Sequence, residues 1–186
     1  MKRVNIFILF VSFSLLFTSC ASIHNPFSRR SSIEIKEGYL SLKTINMNLA
    51  KQMPISEKIG SNEITIVSAT VFAGSNHKTL IVELEFIFKS FEIPEGLPAI
   101  ARANATLKYE PTTREFKLDN VSNIEIRYLK DSLLEYVTPQ QKKFIPETLR
   151  RKLYELVLHK SKKQLTPIKS FSINEGKVKV VFRGFK

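Results

Sequence analysis

The chain carries one cysteine in 186 residues, and its neighbours set what that thiol can do. Cys20 follows the small residues Thr18 and Ser19, which close the apolar run IFILFVSFSLLF at positions 6–17. A thiolate is nucleophilic enough near neutral pH for ready thioether formation, and small neighbours let an enzyme approach the backbone there. A lone thiol builds no intrachain disulfide, and no CxxC pair or Cys/His cluster supplies the ligands of a zinc site. The three histidines, His24, His77 and His159, have no motif partners, and GxSxG, HExxH and a phosphate-cradling glycine loop are all absent. Glu83 and Glu85 fall on the solvent-leaning face of a strand. The expectation is a protein that is not an enzyme and takes no metal or cofactor.

Lys2 and Arg3 precede the apolar run as a basic patch, which makes a secretory signal layout. The run falls short of the roughly 18–20 apolar residues that a spanning helix needs. Phe17-Thr18-Ser19-Cys20 resembles the bacterial lipobox, with Phe17 where leucine is usual. The resemblance implies that residues 1–19 are a removed signal peptide and that Cys20 becomes an acylated N-terminus carrying diacylglycerol and palmitate. Each buried CH2 adds about 0.8 kcal/mol of membrane affinity, so two or three chains anchor durably. Ala21 after the cysteine, rather than aspartate, favours the periplasmic face of the outer membrane, with the inner membrane left open. Residues 20–32, interrupted by Pro26 and without apolar periodicity, read as the lipidated cysteine and a flexible tether.

With 43% hydrophobic and 25% charged residues, the chain has the composition of a globular protein, and residues 33–186 read as one domain. The net charge of +12 predisposes its surface toward anionic partners. Nucleic acid conflicts with export, and the basic residues near positions 150–163 scatter around a helix instead of forming a stripe. Membrane headgroups, a lipid or fatty-acid ligand, and an envelope protein are the partners left.

The elements that position these surfaces follow from periodicity. Leu42, Ile45, Leu49 and Met53 share one helical face before Pro54 stops the run. Leu80, Val82, Leu84, Phe86 and Phe88 alternate with more polar residues, as do Ala99, Ala101, Ala103, Ala105, Leu107 and Tyr109, which predicts an antiparallel sheet with one covered face. Four strands are expected within 62–130, long enough to twist and coil. Thr138 and Pro139 mark a helix start, and the stripe Ile145, Leu149, Leu153, Leu156, Val157 predicts a helix from Thr138 to about Lys160, roughly 33 Å long. One closing strand, KVKVVFRGF, comes last. The fold class is α+β: a long curved antiparallel sheet wrapping a long C-terminal helix, with a short N-terminal helix.

The lipobox, the early INMNLAKQMPISEKIG, the long strands, the helix with proline near its start in FIPETLRRKLYELV and the closing VKVVF resemble the YceB-like family of Gram-negative envelope lipoproteins. Members look like the tubular lipid-binding superfamily. The resemblance implies a membrane-anchored lipoprotein that binds a lipid or other hydrophobic ligand in a groove between curved sheet and helix. The residues placed along that groove are Leu80, Val82, Leu84, Phe86, Phe88, Ala101, Ala103, Ala105, Leu149 and Leu153. The alanines either leave room for an acyl chain or admit the helix at close range. A solid core with a surface that docks an envelope protein is the alternative.

Overall fold

The computed structural model describes residues 33–166, 168–174 and 176–185, so Cys20, the signal and the tether lie outside the described residues. The element order is β1 (Ile33–Ser41), α1 (Leu42–Ala50), β2 (Ile55–Ile59), β3 (Asn62–Ala73), β4 (Leu80–Lys89), β5 (Leu97–Glu110), β6 (Glu115–Tyr128), a 3-10 helix (Asp131–Tyr136), α2 (Pro139–Glu155), β7 (Val157–Lys160), β8 (Ile168–Asn174) and β9 (Lys177–Phe185). Two sheets result. The larger has the order β2-β3-β4-β5-β6-β7 and the smaller β1-β9-β8.

The period-2 pattern decides which face of the large sheet is covered. β4 and β5 bury every second residue, and Leu84 lies between Ala69 of β3 and Ala101 of β5. Leu80 and Leu84 thus meet small residues on both neighbours, while Val82 and Phe86 face an alanine on β5 only, which lets a close-packed layer form without voids. The other face is polar: Glu83, Arg102 and Glu125 stand in line across three strands, with Arg102 Nε 2.6 Å from Glu83 Oε2. Ile45 and Leu49 of α1, Ile145, Leu149 and Leu153 of α2, and Ile173, Val178, Val180 and Phe182 of the small sheet complete one apolar cluster with the covered face.

The large sheet curls, and α1 bridges its two sides. Asn46 Oδ1 accepts the Val71 N–H at 2.8 Å and its Nδ2 donates to the Val71 carbonyl at 3.1 Å. Asn48 donates to the Leu158 carbonyl at 3.0 Å. Gln52, in the turn that follows α1, donates to the Val157 carbonyl at 2.7 Å and accepts the Val157 N–H at 3.2 Å. One short helix therefore serves β3 and β7, which a flat sheet at about 4.8 Å per strand would hold about 19 Å apart. A helix is only 10–12 Å across with its side chains. The bending has a local cause in register shifts within β3/β4 and β5/β6, the latter beside Asn120 and Asn123 at φ 47° and 51°. Bulged strands bend and twist more strongly, and asparagine tolerates the left-handed region.

The long C-terminal helix is not observed. α2 begins as expected, with Thr138 Oγ1 accepting the Gln141 N–H and Gln141 Oε1 accepting the Thr138 N–H. It ends at Glu155, which makes it about 26 Å long, because Leu156 turns extended at φ −64°, ψ 129° and Val157–Lys160 pair with β6. A strand partner on one side and the Gln52 and Asn48 amides on the other outweigh the helical reading of VLHK. Tertiary pairing of this kind routinely overrides local propensity. The element bridging the curled sheet is the short N-terminal helix. Two strands, β8 and β9, close the chain instead of one. The hairpin of β2 with β3 is a further addition, made by a two-residue loop whose first residue, Gly60, takes φ 62°, where a side chain would be strained.

β2 is tied to α2 by charge. Arg151 Nη2 lies 2.6 Å from Glu57 Oε1 and Lys152 Nζ 3.1 Å from Oε2. The Arg151 hydrogen bond holds the Glu57 carboxyl below its ordinary value against the opposing effect of burial, and Lys152 adds to it. A carboxyl depressed in the folded state contributes stability above its unfolded pKa and loses it as pH falls through the folded value. Urea midpoints taken between pH 7 and pH 3 should therefore fall less steeply for Glu57→Gln than for the natural chain. The difference should be up to about 1 kcal/mol, since Arg151 is half exposed. Parallel pH profiles would mean the pair contributes nothing.

Candidate functional site

The residues expected along a groove are all in the interior. Leu80, Val82, Leu84, Phe86, Phe88, Ala101, Ala103, Ala105, Leu149 and Leu153 are between 0 and 4% exposed. β4, β5 and α2 do bring them into one cluster. Side chains occupy the space between sheet and helices, and the alanines face large neighbours such as Val82 and Leu84 directly across the strand pair. Cys20 lies outside the described residues.

A cleft opens at a different place, where the two sheets meet. β4 starts at Leu80, opposite Ala105, yet β5 runs on to Glu110. Thr106–Glu110 therefore pair with β6 on one side and, among the described residues, with no strand on the other. β8 is the last strand of the small sheet, and its outer edge faces this stretch. The two edges border a cleft of about 550 Å3, within the 300–1,000 Å3 of small-molecule sites. Leu107, Tyr109, Ile168 and Phe171 give it apolar walls, while Lys78, Lys108, Lys169 and Asp119 supply its charges.

Both ends of the cleft are held. At one, Ile173 N–H donates to the His77 carbonyl at 2.7 Å, and the His77 Nδ1 lies 2.9 Å from the Ile173 carbonyl oxygen. At the other, Tyr109 accepts the Leu165 N–H at 3.0 Å through its hydroxyl, and its ring packs tilted 4.9 Å from Phe116 and edge-to-face 6.4 Å from Phe182. Rings from β5, β6 and β9 thus lock the sheets together below the opening. His159 packs 6.0 Å from Phe116, and burial pushes its pKa down, which favours a neutral ring that contributes no charge here.

The charges of the cleft are not equivalent. Asp119 accepts a hydrogen bond from Asn120 at 3.2 Å, and Asn120 also reaches Thr106, so its carboxylate belongs to a local network. Lys117, directly across from Lys108, is held by Glu110 at 2.9 Å and Glu115 at 3.1 Å, and the Glu110 hydrogen bond raises its pKa. Lys78, Lys108 and Lys169 have no ion-pair partner among the described residues, though Lys108 lies close enough to help lower the Glu110 pKa. Among the described residues no group of His, Asp or Glu side chains is disposed to hold a metal ion.

Sequence periodicity reaches half of this site. Leu107 and Tyr109 extend the alternation of β5, but Ile168 and Phe171 lie in a strand it misses. A register shift between Ile168 and Ser170 spoils the period of two, so Ile168, Phe171 and Ile173 do not read as a strand face.

No family model matches the chain, so the resemblance to YceB-like lipoproteins stands without a family match, and no curated protein matches it. Among solved structures the chain is similar to one described as the crystal structure of lipopolysaccharide binding protein, at 11% identity and a TM-score of 0.25. The likeness covers 82% of this chain and 50% of that one, so the chain spans about half of that protein's length.

Proposed function

We propose that this chain is a membrane-anchored periplasmic lipoprotein, held at the outer membrane's periplasmic face by an acylated Cys20, whose domain binds a lipid or other hydrophobic ligand and catalyses no reaction. The observation that carries the ligand reading is the continuity of one strand face. Ala101, Ala103 and Ala105 lie deep under the helices, and the same inward row of β5 continues through Leu107 and Tyr109 into the open cleft. An apolar chain lying there meets the margin of the filled interior, where Leu107 and Tyr109 are only 6% and 8% exposed. The address rests on the basic patch, apolar run and small residues before Cys20.

Docking of an envelope protein is the second reading: among the described residues β8 and the Thr106–Glu110 stretch of β5 each have an edge with no strand partner, and exposed strand edges accept added strands where the gap is wide enough for one. The full chain expressed with its leader should yield a membrane form whose intact mass carries a diacylglyceryl group and an amide-linked acyl chain on Cys20. Cys20→Ser should abolish that modification, and organic extracts of the purified variant should contain near-stoichiometric lipid by mass spectrometry. Lipid-free extracts together with no uptake of a fluorescent fatty acid would overturn the ligand reading. An unmodified Cys20 would overturn the anchor.

A further inference from the structure

We propose that the β5–β8 cleft takes an anionic, single-chain amphiphile, its charged head at Lys78, Lys108 and Lys169 and its chain against Leu107, Tyr109, Ile168 and Phe171. This rests on the lipid reading above and narrows it to a ligand class and an entry point.

Three observations select that class. The first is charge. Three lysines border one cleft without an ion-pair partner among the described residues, against the single carboxylate of Asp119, which Asn120 holds in place without neutralising, whereas the neighbouring Lys117 is doubly neutralised. Surplus positive charge beside an apolar wall fits a ligand with an anionic head and an apolar tail. A neutral lipid would leave the lysines unused, and a cationic one would be repelled.

The second is width. β5 and β8 come within 8 Å of each other between Cα atoms without being hydrogen-bonded neighbours. An inserted strand needs two inter-strand spacings, about 9.5 Å. At its narrow part the gap is therefore too tight for an extended peptide, which argues against strand addition here. A hydrocarbon chain has no backbone hydrogen bonds to make and fits a narrower slot.

The third is closure. The His77–Ile173 contacts at one end and the Tyr109–Leu165 hydrogen bond at the other fix the distance between the edges. With both ends held, the slot cannot widen for a strand unless those contacts break.

The head chemistry is an oxyanion on a lysine cluster, whether carboxylate or phosphate, and the two sources separate in the assay. Dansyl-undecanoate is bound to the purified full chain and displaced with oleate, with 1-oleoyl lysophosphatidic acid or with neutral 1-monooleoylglycerol. Both anions should compete at least tenfold better than the neutral probe, weakening as salt is raised. The stronger of the two identifies the head. The triple variant Lys78→Gln, Lys108→Gln, Lys169→Gln should lose about tenfold for the anions and nothing for monooleoylglycerol, since partly exposed charge contacts are individually weak. These lysines lie at the rim and the variant should fold. Phe171→Glu, placing a negative charge on the wall, should weaken all three.

Equal displacement by neutral and anionic probes would overturn the proposal while leaving the lipid reading intact. A triple variant with natural affinity for oleate would do the same. No binding of any probe would remove both. Protection of the β5 and β8 amides by an added peptide, with no amphiphile bound, would assign the cleft to strand addition.

Discussion

Phe86→Ala is expected to destabilise the domain by about 3–5 kcal/mol, the range for removing a large buried aromatic side chain. Phe86 sits in the covered face of β4 between Ile66 of β3 and Ala99 of β5, and is 2% exposed. Ala99 has no side chain beyond a methyl to move into the space, and Ile66 is pinned by its own strand, so collapse around the cavity is limited. Against a typical total of about 5–15 kcal/mol, such a loss is a large share. Urea unfolding followed by far-UV circular dichroism should show the midpoint falling with an unchanged slope. The measurement also bears on the interior between sheet and helices. A loss under about 1 kcal/mol would mean that the space beside Phe86 is filled by something able to adapt, as a bound acyl chain would be, and not by fixed side chains.

The double change Asn46→Ala, Gln52→Ala is expected to cost about 3–5 kcal/mol, although alanine is the better helix former than asparagine by roughly 0.6 kcal/mol. Each amide satisfies both the N–H and the carbonyl of one strand residue, Val71 on β3 and Val157 on β7. Leaving a partly buried donor and acceptor without partners costs about 1–3 kcal/mol per group at the upper end of burial. The two sites act on different strands and should add nearly independently. Native-state hydrogen exchange gives the specific readout, because the Val71 and Val157 amides should exchange faster in the variant. Unchanged exchange at both positions would show that the amides do not bridge the sheet.

These two sites differ in how far they can be read beforehand. The burial of Phe86 comes from alternation alone: Leu80, Val82, Leu84, Phe86 and Phe88 repeat with the pleat, and the pleat is a local property of the backbone. The bridge at Asn46, Asn48 and Gln52 has no such local origin. Asparagine is a poor helix former, and two in nine residues flanking the Ile45/Leu49 stripe are a hint of a polar task. The backbone groups they serve lie 25 to 110 residues away in sequence. The candidate site divides along the same line. Leu107 and Tyr109 continue a visible row, whereas Ile168 and Phe171 are hidden by a register shift that exists only because β8 pairs with β9.

By itself the sequence determined the elements whose cause is local: the covered faces of β4 and β5, and the start of α2 at Thr138 and Pro139; the stop of α1 falls at Ala50, ahead of the Met53 that the stripe included. Period, capping and proline chemistry act within a few residues, so they are legible from composition and order. Only the tertiary structure decided where α2 ends, that α1 bridges the curled sheet, and that the two sheets leave a cleft between β5 and β8. Each of these depends on which strand edge finds a partner. Edge pairing joins residues far apart in the chain through backbone groups that every residue carries alike, so it leaves little trace in the order of side chains.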